Sequence, residues 1–313
     1  MKRIKIIIIF LLFLCAQTEA SFVMPKAGAK ASALSGAFCG IADDVTAIYY
    51  NPAGLGQLEE HQVFLSIISL YHNLDDSIYN GSLNGALYTP HAGVLALGWH
   101  GLFTGLYQEN VFDLSYGLRV AEFSHHTFYA GMNIKVLYKR YTENGYTQFD
   151  PVFSDSLSKT GFSVDMGLLY RFHRSVNFGF SLFNLNQPDM GLNETSKVPL
   201  VCNIGSAFDL SYLRILNNIG WLDRLNVILG VEIREKEYRI SPALELLFLE
   251  KLSVLGGMSL GERDFKQVSF GLGFIKKLDK KMSIAINYSF VYYLNGAHQY
   301  TYGNHYIELG FKF

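Results

Sequence analysis

The chain has 313 residues, half of them hydrophobic and 15% aromatic, with 26 basic against 27 acidic side chains. That near-neutral balance excludes the basic footprint of a nucleic-acid binder, and three cysteines are too few for a disulfide scaffold. No Pro- or Ser-rich linker divides the chain, so one large domain is the simplest organisation.

Residues 1–20 open with Lys2, Arg3 and Lys5, followed by an unbroken apolar run from Ile6 to Leu14. This is the charged start and short apolar body of a secretory signal peptide. The run falls short of the ~20 residues a membrane-spanning helix needs. Ala16 and Ala20 are the small residues of a cleavage end, and cleavage is expected after Ala20. Cys15 lacks the small residues that a lipoprotein signal places before its cysteine. Removing Lys2, Arg3, Lys5 and Glu19 leaves 23 basic and 26 acidic residues, a net charge of −3. Cys39 and Cys202 then remain, either as small buried apolar residues or as one bridge.

Residues 21–60 have a different character. Gly28, Ala29, Ala31, Ser32, Ala33, Ser35, Gly36, Ala37 and Gly40 let a folded backbone pack closely against a wall. Asp43 or Asp44 can cap a short helix reaching Tyr49 or Tyr50, because a carboxylate accepts the orphan amide hydrogens of the first turn. Pro52 is expected to stop that helix, and Asn51, Pro52, Ala53 and Gly54 read as a turn into the first strand.

From Val63 onward the hydrophobic pattern has period two. Phe128, Ala130, Met132, Ile134 and Val136 alternate with Tyr129, Gly131, Asn133, Lys135 and Leu137. The same alternation recurs around Phe162 to Phe172, Val268 to Phe274 and Met282 to Tyr292. Successive side chains of a strand point to opposite faces, so each segment has an apolar face and a small or polar one. About 14 strands fit, near 62–71, 81–88, 92–100, 110–121, 127–139, 161–172, 175–184, 199–210, 225–235, 238–248, 252–260, 266–276, 281–294 and 304–313. They are longer than the ~5–6 residues usual in globular sheets and match the ~9–11 of a tilted strand crossing a bilayer. Tyr138, Phe172, Tyr292 and Tyr293 stand where interfacial aromatic girdles would lie. The chain stops on Phe313, with Phe311, Leu309 and Ile307 on one face. That ending resembles the C-terminal signal by which bacterial outer-membrane barrels are recognised for insertion, which makes outer-membrane lipids and the assembly machinery expected partners.

Connections after strands one, three, five, seven and thirteen read as long, and those after two, four, six, ten and twelve as tight. Barrels alternate short periplasmic turns with longer outer loops, so both termini are expected in the periplasm. The long connection after strand eight and the short one after strand nine break the parity. The fold class is therefore all-β: a transmembrane antiparallel β-barrel over residues 61–313, in the outer membrane of a Gram-negative-type bacterium. Such a barrel has a lumen wider than side chains alone can fill, since roughly eight strands already make a filled interior. Residues 21–60 are the expected N-terminal plug, or hatch, carrying the short helix.

At these residues a resemblance becomes specific. Gly28 to Ala31, Gly36 to Phe38, Ile41 to Asp44 and Tyr50 to Leu55 resemble the N-terminal signature of PorV/PorQ-type outer-membrane proteins and, more distantly, of FadL-type long-chain fatty acid transporters. The resemblance implies a 14-stranded barrel whose hatch carries the Asn-Pro-Ala motif at Asn51, Pro52 and Ala53. For the FadL type it implies passive uptake or binding of small hydrophobic molecules through the hatch-plugged barrel, which is the leading expectation, with the PorV/PorQ reading as its alternative. For the PorV/PorQ type it implies a secretion accessory that engages protein cargo. The chain departs from the FadL pattern in having too few residues for the long outer loops that form a surface ligand groove there.

No catalytic residue, metal or cofactor is called. Gly257, Ser259 and Gly261 have nucleophile-elbow spacing, but that motif needs a strand, a strained turn and then a helix. His125 and His126 are adjacent on a strand, so they face opposite sides and read as a turn rather than a metal site. No acidic residue follows Asp43 and Asp44 at calcium-loop spacing. Asp165, Arg171, Glu232, Arg234, Glu308 and Lys312 fall on the lumen side, either as a selectivity surface or as a polar network that holds the plug.

Overall fold

The computed structural model describes residues 22, 26–71, 78–145, 147–153, 156–173, 175–212, 221–262, 265–279, 281–294 and 301–313. The signal-peptide reading of residues 1–20 lies outside them. The alternating segments form fourteen antiparallel strands that close in chain order into one barrel. They are β1 (Gln62–Leu70), β2 (Ile78–Thr89), β3 (Gly93–Phe103), β4 (Tyr107–Phe123), β5 (His126–Tyr141), β6 (Ser158–Phe172) and β7 (Val176–Phe183), followed by β8 (Val201–Asp209), β9 (Leu222–Arg234), β10 (Glu237–Phe248), β11 (Leu252–Gly261), β12 (Lys266–Lys277), β13 (Ser283–Tyr293) and β14 (Asn304–Lys312). β1 pairs β14 from Gln62↔Lys312 to Ser69↔His305, which abolishes the sheet edge. His61 and Phe313 exchange backbone hydrogen bonds of 2.9 and 3.0 Å, so β1 begins and β14 ends at the same end of the barrel, the terminal end. The opposite opening is the far end.

The two faces of each strand carry opposite chemistry. Ile67, Leu97, Leu168 and Ile307 point outward and are about 60% exposed, while Ser66, Asn133, Asp165 and Glu308 point inward and are fully buried. A water-soluble barrel would have the reverse arrangement; apolar groups outside and polar groups inside suit a lipid surround. No helix among the described residues is long and apolar enough to cross a membrane, and the crossing is made by strands.

At the terminal end the connections after β2, β4, β6, β10 and β12 are two to five residues long, as the sequence suggests. The connection after β3 corrects an expectation: it is residues 104–106, not a long loop. Thr104 and Tyr107 exchange a backbone bond of 2.9 Å and a hydroxyl bond of 3.0 Å, which closes a hairpin and starts β4 three residues earlier than its apolar pattern does. The longest far-end connection, residues 184–200, folds back into the lumen. Its Met190 and Val198 are buried against Val111, Leu137 and Phe22.

Inside lies the plug. Helix α1 (Ala29–Ala33) is followed by a 3-10 helix over Val45–Tyr49 and a second over Pro52–Gln57. The second corrects the expected turn. Asn51 is extended and caps it, and Pro52 occupies its first position, where a missing amide hydrogen costs nothing. Inward glycines of the wall admit the plug at van der Waals contact. A Cβ on Gly131 would lie 2.3 Å from the Pro52 carbonyl, and one on Gly179 would lie 2.0 Å from that of Cys39.

Candidate functional site

The junction between plug and wall is the candidate site, and it is built from buried polar contacts. Asp44 caps the first 3-10 helix, accepting from the Thr46 amide at 2.8 Å. The Val45 amide donates to Gln62 Oε1 at 3.0 Å, tying that helix to β1. Asp43 does not cap. It forms an ion pair with Lys30 at 2.8 Å, and Lys30 also reaches Glu245 on β10 at 2.9 Å. One ammonium thus bridges two segments of the plug and the wall. Burial would raise the Asp43 carboxyl, but Lys30 outweighs it and holds the group at about 2. Burial and the neighbouring Asp43 both push Asp44 up. Lys30 is lowered by burial and raised by Asp43 and Glu245, and the carboxylates win.

Asn51 is fully buried and satisfied on every side. Its amide nitrogen donates to Cys39 O and Leu168 O, both at 3.0 Å, and its oxygen accepts from the Ala53 amide at 3.2 Å. It therefore joins both plug segments to β6. Pro52 and Ala53 rest on Gly131 and Gly167, and Gly54 has no room for a side chain, since a Cβ would stand 2.2 Å from Ala42 O. These four residues form a fastening, with no group placed for chemistry.

Further contacts surround this fastening. Ser181 donates to Tyr50 O at 2.7 Å, Asn133 to Ile48 O at 2.9 Å, and Gln57 to Ile41 O at 2.8 Å. Arg171 donates in turn to Gln57 Oε1. Glu308 accepts from Ser66 at 2.8 Å, Asn287 at 2.9 Å and the Ala29 amide at 3.3 Å. At the far end Lys26 pairs with Glu232 at 2.9 Å, and the Phe22 amide donates to Glu109 at 3.1 Å. Of the lumen charges read from sequence, Arg171, Glu232 and Glu308 bind the plug directly. Asp165 pairs with Lys135 at 2.8 Å and takes the Asn184 amide at 2.9 Å, holding the inward loop. Lys312 lies 3.5 Å from Glu60, just before β1. Sequence reasoning missed Lys26, Lys30, Gln57 and Glu245. A lone lysine among small residues at position 30 was the available signal.

Beside the plug remains a cavity of about 340 Å³, lined by Lys26, Glu232, Arg234 and Arg239 together with Tyr50, Tyr293 and Tyr306. Its surface is charged and hydroxylated as much as apolar. The wall beside it is paired along β8 and β9 from Val201↔Arg234 to Asp209↔Asn226.

The remaining candidates bear no chemistry in this arrangement. Ser259 sits within β11, 3.0 Å from the Ser241 hydroxyl, not on a strand-to-helix turn. His125 stacks on His173 at 3.9 Å, and His126 Nδ1 lies 2.8 Å from the Tyr170 hydroxyl. Among the described residues no group of three His, Cys, Asp or Glu side chains is placed to hold a metal ion. Cys39 and Cys202 are both free. Phe311 faces outward, and the Phe313 ring rests 5.4 Å from that of His61.

A closed, apolar-faced barrel of fourteen strands with a fastened N-terminal plug defines an outer-membrane protein of FadL-like architecture. The family model described as type IX secretion system membrane protein PorP/SprF matches residues 45–311, and the chain belongs to that family. The family model names PorP/SprF, and the finer PorV/PorQ label is not what it supports. Among solved structures, the chain is similar to the Ralstonia pickettii toluene transporter TbuX, with TM-score 0.60, 11% identity and 93% of this chain covering 99% of that one. It is similar to a Pseudomonas aeruginosa FadL homologue at TM-score 0.60 and 10% identity, with 94% and 99% covered. The CymD monoaromatic hydrocarbon channel follows at TM-score 0.59 and 8% identity, with 93% and 97% covered. At these identities the likeness is one of fold. No curated protein matches the chain. The family and the similar folds are secretion and transport barrels rather than enzymes.

Proposed function

We propose that this chain is a permanently stoppered outer-membrane component of a type IX secretion machinery, which engages protein partners instead of passing solutes. Its termini are periplasmic, residues 1–20 are removed, and residues 21–60 act as the plug for the barrel of residues 61–313. The observation that carries this reading is the way the lumen is filled. The plug is fastened from the terminal end to the far end by Asn51, Arg171, Lys30 and Lys26, and the space left beside it is charged. An apolar solute crossing that space would have to be passed by buried ions, which is unfavourable. In this reading Asp43, Asp44 and Asn51 to Gly54 are residues of the hatch, and Phe311 and Phe313 are the assembly signal.

The alternative is uptake or binding of small hydrophobic molecules, favoured by the fold likeness to hydrocarbon channels. Two measurements separate the readings. Proteoliposomes holding the mature protein should take up radiolabelled toluene and oleate no faster than empty ones. Cells lacking the chain should lose proteins from their surface and medium. Saturable uptake together with an unchanged set of exported proteins would reverse the choice.

A further inference from the structure

Three cations converge on one carboxylate in the part of the lumen that the plug leaves open. Glu232 lies 2.9 Å from Lys26, 3.0 Å from Arg234 and 3.8 Å from Arg239. Glu232 balances one unit of charge and Glu237, opposite Arg234 in the β9–β10 register and interacting with Arg239, a second, so the cluster carries an excess of one positive charge. The Lys26, Arg234, Arg239 and Glu232 side chains are 17–31% exposed, so the excess charge is partly hydrated, and a compensating anion would still be favoured in the confined lumen.

Arg239 is the member with capacity to spare. Its ion pair to Glu232 is long, at 3.8 Å, and its guanidinium stacks 4.2 Å from the ring centre of Phe265. Stacking fixes the plane of a fork whose donors match a two-oxygen acceptor. Arg239 lines the cavity of about 340 Å³, together with Ser241, Gln267, Tyr293 and Tyr306. Flat aromatic faces, hydroxyls and an amide therefore surround the unmatched charge.

We propose that this cavity binds a small organic oxyanion, a carboxylate or phosphate on a flat or aromatic body, with the Arg239 fork as its main contact and Lys26 and Arg234 completing the charge balance. The site belongs to the lumen itself and does not depend on whether the barrel serves secretion or uptake.

The test uses the full mature protein in detergent, titrated calorimetrically with benzoate, phenyl phosphate and benzyl alcohol. At least one of the two anions should bind saturably, with the neutral alcohol at least tenfold weaker. Binding of benzoate alone assigns a carboxylate ligand, and binding of phenyl phosphate alone a phosphate. Arg239→Gln should weaken the anion at least tenfold, and Arg239→Lys, which keeps the charge and loses the fork, should fall between. Should Arg239→Gln fail to give a heat-modifiable folded barrel, Arg239→Lys is read in its place. The proposal is overturned if neither anion saturates, if benzyl alcohol binds as well as they do, or if the folded Arg239 variant binds unchanged.

Discussion

Replacing Asn51 by alanine should loosen the plug without unfolding the barrel. The wild-type amide makes three buried hydrogen bonds, to Cys39 O, Leu168 O and from the Ala53 amide. Only the bond to Leu168 O crosses from plug to wall, so at about 1 kcal/mol net docking weakens by about 1 kcal/mol. Tenfold per 1.4 kcal/mol makes this about a fivefold increase in the undocked population. Cys39 reports that population directly. Its thiol is 3% exposed, and burial pushes its pKa up to about 12, so it reacts only when the plug leaves the wall. In a Cys202→Ser background, the maleimide labelling rate of Asn51→Ala should exceed that of the parent about fivefold if redocking outpaces labelling. The exposed Gln148→Ala should label at the parental rate. A folded Asn51→Ala barrel that labels no faster than the parent would refute the idea that this amide fastens the plug.

Other outcomes follow from the same geometry. Lys30→Met leaves Asp43 and Glu245 without their shared cation, which should weaken docking by about 3 kcal/mol and give conducting bursts in planar bilayers at pH 7.5. In the wild type Asp43 is held at about 2, so its contribution is present above the ordinary carboxyl range and is lost only as pH falls toward 2. Without Lys30 only the weaker pull of Arg224 and Lys312 opposes burial, so the Asp43 carboxyl moves up and acidification should reduce the variant's conducting bursts more than it affects the wild type. Deleting residues 21–57 should give a barrel that inserts and conducts steadily; a closed pore would show that the plug is not what seals it. Phe313→Ser removes the ring that rests on His61 and should lower outer-membrane yield several-fold, measured by heat-modifiable mobility of membrane fractions. An unchanged yield would end its assignment as an assembly signal.

The strands and their faces were legible in the sequence because a period of two is a local property. Phe128 to Leu137 declares which side meets lipid whatever its neighbours are. The length of that pattern separated a membrane wall from a soluble sandwich, and the small residues after Gly28 announced a backbone meant to lie close to something. Asp44 as a cap was readable for the same reason, since the amide donor it accepts from lies two residues away.

Tertiary structure decided everything that depended on what faces what across the lumen. Nothing near Asn51 foretells that its amide joins Cys39 to Leu168, because those partners come together only when the barrel closes around the plug. Gly131 and Gly167 read as the small face of a strand, and only the docked hatch shows why a methyl group would not fit there. Lys26 and Arg239 looked like scattered charges until closure brought them to Glu232 from the plug and β10. The sequence by itself determined a lipid-facing barrel and a close-packing leader. Closure of fourteen strands around that segment determined which charges pair, which stay unmatched and how the lumen is sealed, because such contacts join residues up to 279 positions apart.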